Sequence, residues 1–581
     1  MLALLLAACG GNQTAQQQPT PIALPPLPPI GGLPPAASGL QATGKLSPDT
    51  SLQLSIGLAT NRQALETDLA ALYDPNSPQY GHYLTPNEVA TRYGASQATI
   101  DKVSSFLQGQ GFQIEEVSAL HDSINVSASA AQITQTFGIL LQTFQLQGQT
   151  VFGPSGILTL PSALQPLVTS IVGLSSFAQP RPRLLRSLPA TPSGEPGQHS
   201  AADCSGATTN GVTMPQIAGV YGYSKAYKAG YTGKGISVGI VEFDDMMNMN
   251  DLTNFLTCST GGKLHYSLVK VDGGSQVNSN GADGEAELDF EYLGALAPDA
   301  QLVEYQAPCS DCGDNSGGKP FAVGYVDILH RIAADDKVQA VSASWGYYEQ
   351  SFTPGEKDAF DQAIKRLAAE GITFSAASGD CGAYDNGNYG QLSVDIPAAD
   401  PYTVAVGGTL LQINNQGNRQ SEPAWDTYQQ ATDKSFCQNN DWGDGGGLST
   451  YFKLPPWQKG PGVTNKYSNG ERELPDVVAI AWNIALYEQG QWSWSGGTSA
   501  ATPIWTAGLA LVEQGLLQHH KPLIGASPTF YQIANKHSKY TPYFDVTQGD
   551  NLYYPATAGY DLASGWGAPN ILDFGKVLGA F

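Results

Sequence analysis

Gly355-Glu-Lys-Asp-Ala-Phe-Asp-Gln-Ala-Ile-Lys-Arg-Leu-Ala-Ala-Glu370-Gly-Ile-Thr373-Phe-Ser-Ala-Ala377-Ser-Gly-Asp380-Cys-Gly382 carries the fold in one unit. Gly355 to Glu370 reads as a helix. Thr373 to Ala377 is a short run that reads as a buried strand, and a turn of small residues ending in an acid follows it. The alternation continues outward on both sides. Ile236-Ser-Val-Gly-Ile-Val241, Gln301-Leu-Val-Glu-Tyr305, Ala340-Val-Ser-Ala-Ser344 and Tyr402-Thr-Val-Ala-Val406 read as further strands. Gly284 to Ala297, Lys319 to Ala334 and Thr498 to His519 read as further helices. Such alternation predicts an α/β domain over residues 213–581, with a parallel sheet covered by helices on both faces. In such sheets ligands sit beyond the carboxyl ends of the strands, which makes Asp380 a candidate site residue. The plain alternative is a turn residue beside glycine.

Two further motifs carry chemistry. In Gly496-Gly-Thr-Ser499-Ala-Ala-Thr-Pro503 a small-residue turn feeds a helix. Ser499 then lies at a helix N-terminus, where outward-pointing N–H groups stabilise developing negative charge. A serine nucleophile needs a base, and none of the eight histidines stands in a His-Gly-Thr context. Asp283-Gly-Glu285-Ala-Glu-Leu-Asp289-Phe-Glu-Tyr292 offers carboxylates instead. Glu285 and Asp289 are four apart, so on a helix they share a face, and two carboxyls in contact tend to share a proton. Glu287 and Glu291 form a second pair on another face; a solvated acidic face is the ordinary fate of such a pair.

The Gly-Thr-Ser string resembles the nucleophile segment of subtilisin-like serine proteases. Together with the two acidic motifs it resembles the sedolisin family of serine-carboxyl peptidases, of the kumamolisin-like type with an activation propeptide, over residues 41–581. The resemblance implies a subtilisin-like catalytic domain preceded by an α+β propeptide domain. It implies Ser499 as nucleophile, Glu285 as general base, Asp289 as the group that orients Glu285 and shares its proton, and Asp380 as oxyanion donor. It makes Ser344, Trp345 and Gly346 a substrate-lining strand end, with Glu242 supporting Trp345 from behind. It also implies a Ca²⁺ loop near the C-terminus. Asp545 and Asp561 would bind through side chains, and Val546, Thr557 and Gly559 through carbonyls, a hard oxygen set that suits the ion. This loop has Thr557-Ala-Gly559 where the family usually has Gly-Pro-Gly.

Upstream of the α/β region, residues 41–178 read as a separate α+β unit without chemistry. Ser51-Leu-Gln-Leu-Ser-Ile-Gly-Leu alternates as a strand, Asn61 and Thr85 can cap helices, and Thr99–Leu107 and Ala130–Phe137 are helical. Tyr73-Asp-Pro-Asn-Ser-Pro-Gln-Tyr-Gly-His-Tyr-Leu-Thr-Pro86 resembles the family's propeptide. Residues 179–212, rich in Pro, Arg, Ser and Gly, form a linker expected to be exposed and cleavable. Residues 10–40 are a Pro-rich spacer. Residues 1–9 look like a signal remnant: Leu6-Ala-Ala-Cys9 resembles the lipobox of bacterial lipoproteins, with Cys9 acylated.

Composition narrows the remaining choices. With 51 acidic against 28 basic residues the net charge is −23, which argues against a nucleic-acid partner. No run of 18 apolar residues occurs, so a membrane would be met only through a lipid on Cys9. The other six cysteines (Cys204, Cys258, Cys309, Cys312, Cys381 and Cys437) suit disulfides in an exported protein, with fifteen pairings open. Cys309-Ser-Asp-Cys312 alone is a poor zinc site. The expectation is an exported, acid-active, monomeric endopeptidase at a bacterial surface, made as a self-processing zymogen with its own propeptide as inhibitor. A tripeptidyl aminopeptidase of the same family and a catalytically silent binding protein are the alternatives.

Overall fold

The computed structural model describes residues 29–146, 148–156, 158–182, 185–186, 204–209, 211–243, 247–261, 263–275, 284–312, 319–387, 390–427, 437 and 442–581. Cys9, most of the spacer and most of the linker lie outside the described residues.

The N-terminal unit contains a sheet of four antiparallel strands, β1 (Ser51–Leu58), β2 (Gln113–Val117), β3 (Ser123–Ser129) and β4 (Val168–Val172), in the order β2-β3-β1-β4, beside a smaller sheet of Gly44–Lys45, Leu140–Leu146 and Gln149–Ser155. Its helices are α1 (Arg62–Leu72), α2 (Pro86–Tyr93), α3 (Gln97–Gly109) and α4 (Ala130–Phe137). The expected caps form: the Asn61 side chain accepts from Ala64 N–H, and Thr85 with Glu88 closes a capping box. Leu54, Ile56, Val103, Leu107, Val126 and Ile133 meet in a core of their own.

The C-terminal unit is built on seven parallel strands: β5 (Ser237–Phe243), β6 (His265–Lys270), β7 (Gln301–Ala307), β8 (Ala340–Ala343), β9 (Thr373–Ala377), β10 (Val404–Thr409) and β11 (Val477–Ile480). Their order is β6-β7-β5-β8-β9-β10-β11. Sequence reading finds five of them; β6, half polar at the sheet edge, and the four-residue β11 carry too weak a signal. Helices α5 (Glu285–Leu296), α6 (Phe321–Asp335), α7 (Pro354–Glu370) and α8 (Thr498–Gln518) cover the sheet. Separate apolar clusters fill its two sides, one around α5 and α8, the other around α6 and α7. The chain enters the sheet at β5, in its middle, and builds outward both ways. This leaves a topological switch at the carboxyl ends of β5 and β8.

The propeptide unit docks on α6 and α7. Leu65, Leu69 and Leu72 of α1 join the same core as Leu329, Ile364 and Leu367. Arg62 pairs with Asp358 at 2.5 Å, Lys365 with Glu66, and Asp122 with both Arg366 at 2.7 Å and His330 at 3.2 Å. Two short stretches of the linker pair as strand. Arg181–Pro182 pairs antiparallel with Trp345–Gly346, and Leu185–Arg186 pairs antiparallel with Ser495–Gly496. Backbone hydrogen bonding recruits these residues as strands, a role that their Pro/Arg composition does not announce.

The six cysteines form Cys204–Cys258, Cys309–Cys312 and Cys381–Cys437. The Cys-x-x-Cys segment is therefore a disulfide, not half a zinc site.

Candidate active site

Three strand ends and two helix starts bring the predicted residues together. Gly497, at φ 111°, turns the chain into α8 with its N–H donated to the Ala481 carbonyl. That conformation suits glycine. Ser499 follows in the first turn, fully buried, with its Oγ donating to the Ser344 carbonyl at 3.4 Å. Ser344 is the residue after β8. Its own Oγ donates to both carboxyl oxygens of Asp289, at 2.8 and 3.0 Å. Sequence reading places Ser344 only on the substrate wall; the structure makes it the link between the carboxylate helix and the nucleophile.

Glu285 opens α5, and Asp289 lies one turn on. Both are fully buried, and α5 packs along α8. Burial pushes the Asp289 carboxyl above its ordinary range, against the opposing Ser344 hydrogen bond.

The second pair is not a solvated face. Glu287 and Glu291 are as buried as the first pair. Glu287 accepts the Asn248 N–H at 2.7 Å and Glu291 the Tyr487 N–H at 3.1 Å. Burial holds the Glu291 carboxyl well above its usual range, so it serves as a neutral anchor for the strand Ile484–Glu488. The helix is enclosed on every side, which an i,i+4 charge pattern does not reveal.

Asp380 lies three residues past β9, fully buried, as predicted for a strand-end ligand. Its Oδ1 accepts from the Thr498 N–H at 2.7 Å and the Thr498 Oγ at 2.8 Å. That fixes Oδ1 as an acceptor. Asp385 Oδ1 accepts the N–H groups of Asp380 and Cys381, at 3.0 and 3.1 Å. Sequence reading misses both partners. Thr498 stands inside the quoted serine motif and was the findable one. Behind the substrate wall, Trp345 Nε1 donates to Glu242 Oε2 at 2.9 Å, as the resemblance implies.

The C-terminal loop also assembles. Asp561 Oδ2 accepts the Thr557 N–H at 2.6 Å, and Asp545 Oδ2 the Gly559 N–H at 3.0 Å. Val546 joins through its carbonyl, which accepts from Ser564 Oγ at 3.3 Å. Burial raises both carboxyls, Asp561 to about 6. Two carboxyls reluctant to charge, bracketing one loop with a third oxygen beside them, are a donor set that a hard dication relieves.

Known proteins share this layout. The activation domain of pro-kumamolisin matches residues 38–177, and the subtilase family matches residues 274–529. Kumamolisin from Bacillus sp. (strain MN-32) is 29% identical over 514 residues, 85% of each chain. Tripeptidyl-peptidase 1 of Homo sapiens is 28% identical over 578 residues, 93% of this chain and 94% of its own. The solved structure of Pseudomonas sedolisin, a serine-carboxyl proteinase complexed with two molecules of pseudo-iodotyrostatin, superimposes with a TM-score of 0.53. It is 25% identical and covers 63% of this chain and 97% of its own.

Proposed function

We propose that this chain, a member of the sedolisin family of serine-carboxyl peptidases carrying a pro-kumamolisin-type activation domain, is an exported, acid-active endopeptidase made as a self-processing zymogen. The observation that carries the reading is the buried convergence of Ser499, Asp289 and Asp380 through Ser344 and Thr498, with Glu285 one turn from Asp289.

In this reading Ser499 Oγ attacks the scissile carbonyl and its proton passes to Glu285, with Asp289 sharing it. Asp380, protonated, donates from Oδ2 to the oxyanion while Thr498 holds Oδ1. An ionised carboxylate there would repel the oxyanion; a neutral acid donates to it. Collapse of the tetrahedral intermediate breaks the C–N bond, and Glu285 returns the proton to the leaving amine. Water then hydrolyses the acyl-enzyme by the same route.

The linker supports zymogen processing. Its strands pair with Trp345–Gly346 and with Ser495–Gly496, three residues before Ser499, which supports a cut within residues 179–212. A cleft that takes chain on both sides of the cut favours internal cleavage over removal of N-terminal tripeptides. The tripeptidyl reading keeps support from the name of one relative. Digesting a denatured protein at pH 4 and reading the termini by mass spectrometry separates the two: internal sites support the endopeptidase, and a ladder of tripeptides refutes it.

Ca²⁺ would be held by Asp545 and Asp561 side chains and by the carbonyls of Val546, Thr557 and Gly559. There it would neutralise the buried Asp561 carboxyl and the exposed Asp545 carboxyl and stiffen the loop. Export is supported by three disulfides among the described residues, which belong to an oxidising compartment; lipidation at Cys9 rests on the Leu6-Ala-Ala-Cys9 string alone.

A further inference from the structure

Asp444 sits in Gly443-Asp-Gly-Gly-Gly447, a strap of glycines around one side chain, and none of the roles above uses it. The strap lies against the turn that carries Asp380. Gly443 N–H donates to the Asp380 carbonyl at 2.9 Å, and Gly445 N–H donates to the Gly379 carbonyl at 2.8 Å. In return Gly382 N–H donates to the Gly443 carbonyl at 2.9 Å. The approach is close: a Cβ on Gly445 would lie 2.2 Å from the Ser378 carbonyl oxygen. From the middle of this strap the Asp444 carboxyl, fully buried, reaches two strand ends at once. Its Oδ1 accepts the Gly408 N–H of β10 at 2.7 Å and the Ser378 Oγ at 3.3 Å.

We propose that Asp444 is a positioning residue for the oxyanion donor: it ties the end of β9 to β10 and so sets where the Asp380 carboxyl stands. The inference rests on the reading of Asp380 as oxyanion donor. Thr498 orients the Asp380 side chain, but that orientation is only as good as the backbone beneath it. An oxyanion donor displaced by about half an ångström loses most of its effect. Asp385 restrains the same turn from its own loop. Thr498 Oγ holds the Gly379 backbone from α8, and Asp444 adds the restraint that ties the turn to β10. Burial keeps the Asp444 carboxyl well above the usual range, so in acid it is neutral and adds no charge beside the oxyanion. Removing it strands the buried Gly408 N–H and opens a hole under the turn.

The test compares mature enzyme carrying Asp444→Ala, Asp444→Asn, Asp380→Ala and the double Asp380→Ala/Asp444→Ala, each processed in trans by the wild type. Two ligands of one peptide sequence report separately. An aldehyde forms a hemiacetal on Ser499 whose oxygen occupies the oxyanion position; the matching carboxamide binds without it. Asp444→Ala is expected to lower kcat and aldehyde affinity together, by about 10- to 100-fold. KM and carboxamide affinity should stay within about threefold, and Asp444→Asn should recover most of both losses. In the Asp380→Ala background the same change should cost under about threefold, because the two act as one unit. An equal loss in that background overturns the proposal, as does a fall in kcat with aldehyde affinity intact. If Asp444→Ala does not fold, Ser378→Ala removes only the Oγ–Oδ1 bond. It should weaken the aldehyde and spare the carboxamide, and equal effects on the two refute the role. Asp380→Ala with wild-type kcat and aldehyde affinity would sink the reading of Asp380 and this inference with it; a large Asp380 effect with additive losses sinks this inference alone.

Discussion

Asp122→Ala, a change in the propeptide far from the nucleophile, is expected to loosen the propeptide's grip by about two to three orders of magnitude. Asp122 Oδ2 lies 2.7 Å from Arg366 Nε and 3.2 Å from His330 Nε2. The Arg366 and Asp122 side chains are 1% and 5% exposed. Deleting one partner of a buried pair costs about 3–5 kcal/mol, chiefly because the other charge is left stranded. At about 1.4 kcal/mol per decade, that is roughly 10²- to 10³-fold in the inhibition constant. Glu370 stands next to Arg366, but burial pushes its carboxyl to about 9, so in acid it is neutral and does not take over. The sign with pH follows from Asp122 itself. Burial opposes its charge, yet Arg366 and His330 hold its carboxyl far below the ordinary 3.8. Its contribution is therefore fully present above about pH 4 and is lost only as pH falls through that very low folded value. Mild acid leaves this pair standing, so any release of the N-terminal unit near pH 4 would have to act elsewhere. The assay is inhibition of mature enzyme by separately supplied propeptide, residues 38–178, at pH 4 and pH 6. Asp122→Ala paired with Arg366→Met should recover much of the loss, since neither charge remains unpaired. A single change within about threefold of wild type, or a double variant worse than the single, refutes the reasoning.

Three further expectations concern the active site, its activation and the calcium loop. Ser499→Ala should stay full length on acidification while wild type shortens by its propeptide, as read by gel and mass spectrometry; identical shortening of purified samples would rule out self-cleavage. The profile of kcat/KM against pH should be bell-shaped at roughly pH 3–5, since Glu285 must lose a proton while Asp380 keeps one. Asp380→Asn should lower kcat yet extend the alkaline limb, and a wild-type optimum at pH 8 would refute the carboxylate mechanism. Chelation should lower the melting temperature, and more at pH 7 than at pH 4. Burial raises the folded-state pKa of both Asp545 and Asp561 above the unfolded value, Asp561 to about 6, so without a cation the contribution of Asp561 is lost as pH rises through about 6. Asp561→Ala should abolish the chelator response; a response that survives it would place the ion elsewhere.

The sequence by itself determined the layered α/β architecture, the separate N-terminal unit and the candidate site residues. Those features are local. Helical spacing puts Glu285 above Asp289, and the small-residue turn at Gly496–Ser499 forces a helix start. The strand before Asp380, Thr373-Phe-Ser-Ala-Ala377, is a short run of small and apolar residues after a helix. Only the tertiary structure decided what surrounds them. Glu287 and Glu291 read as surface acids, and become buried anchors because Asn248 and Tyr487 arrive from distant segments. The Pro/Arg linker reads as a loose tether, and becomes strand because the cleft offers unpaired edges at Trp345–Gly346 and Ser495–Gly496. Asp444 is 64 residues from Asp380 in a run of glycine, with no period or motif to mark it. The physical reason is common to all three. Periodicity reports which face of an element is apolar, whereas the partner that satisfies a buried polar group is chosen by chain segments far away in sequence.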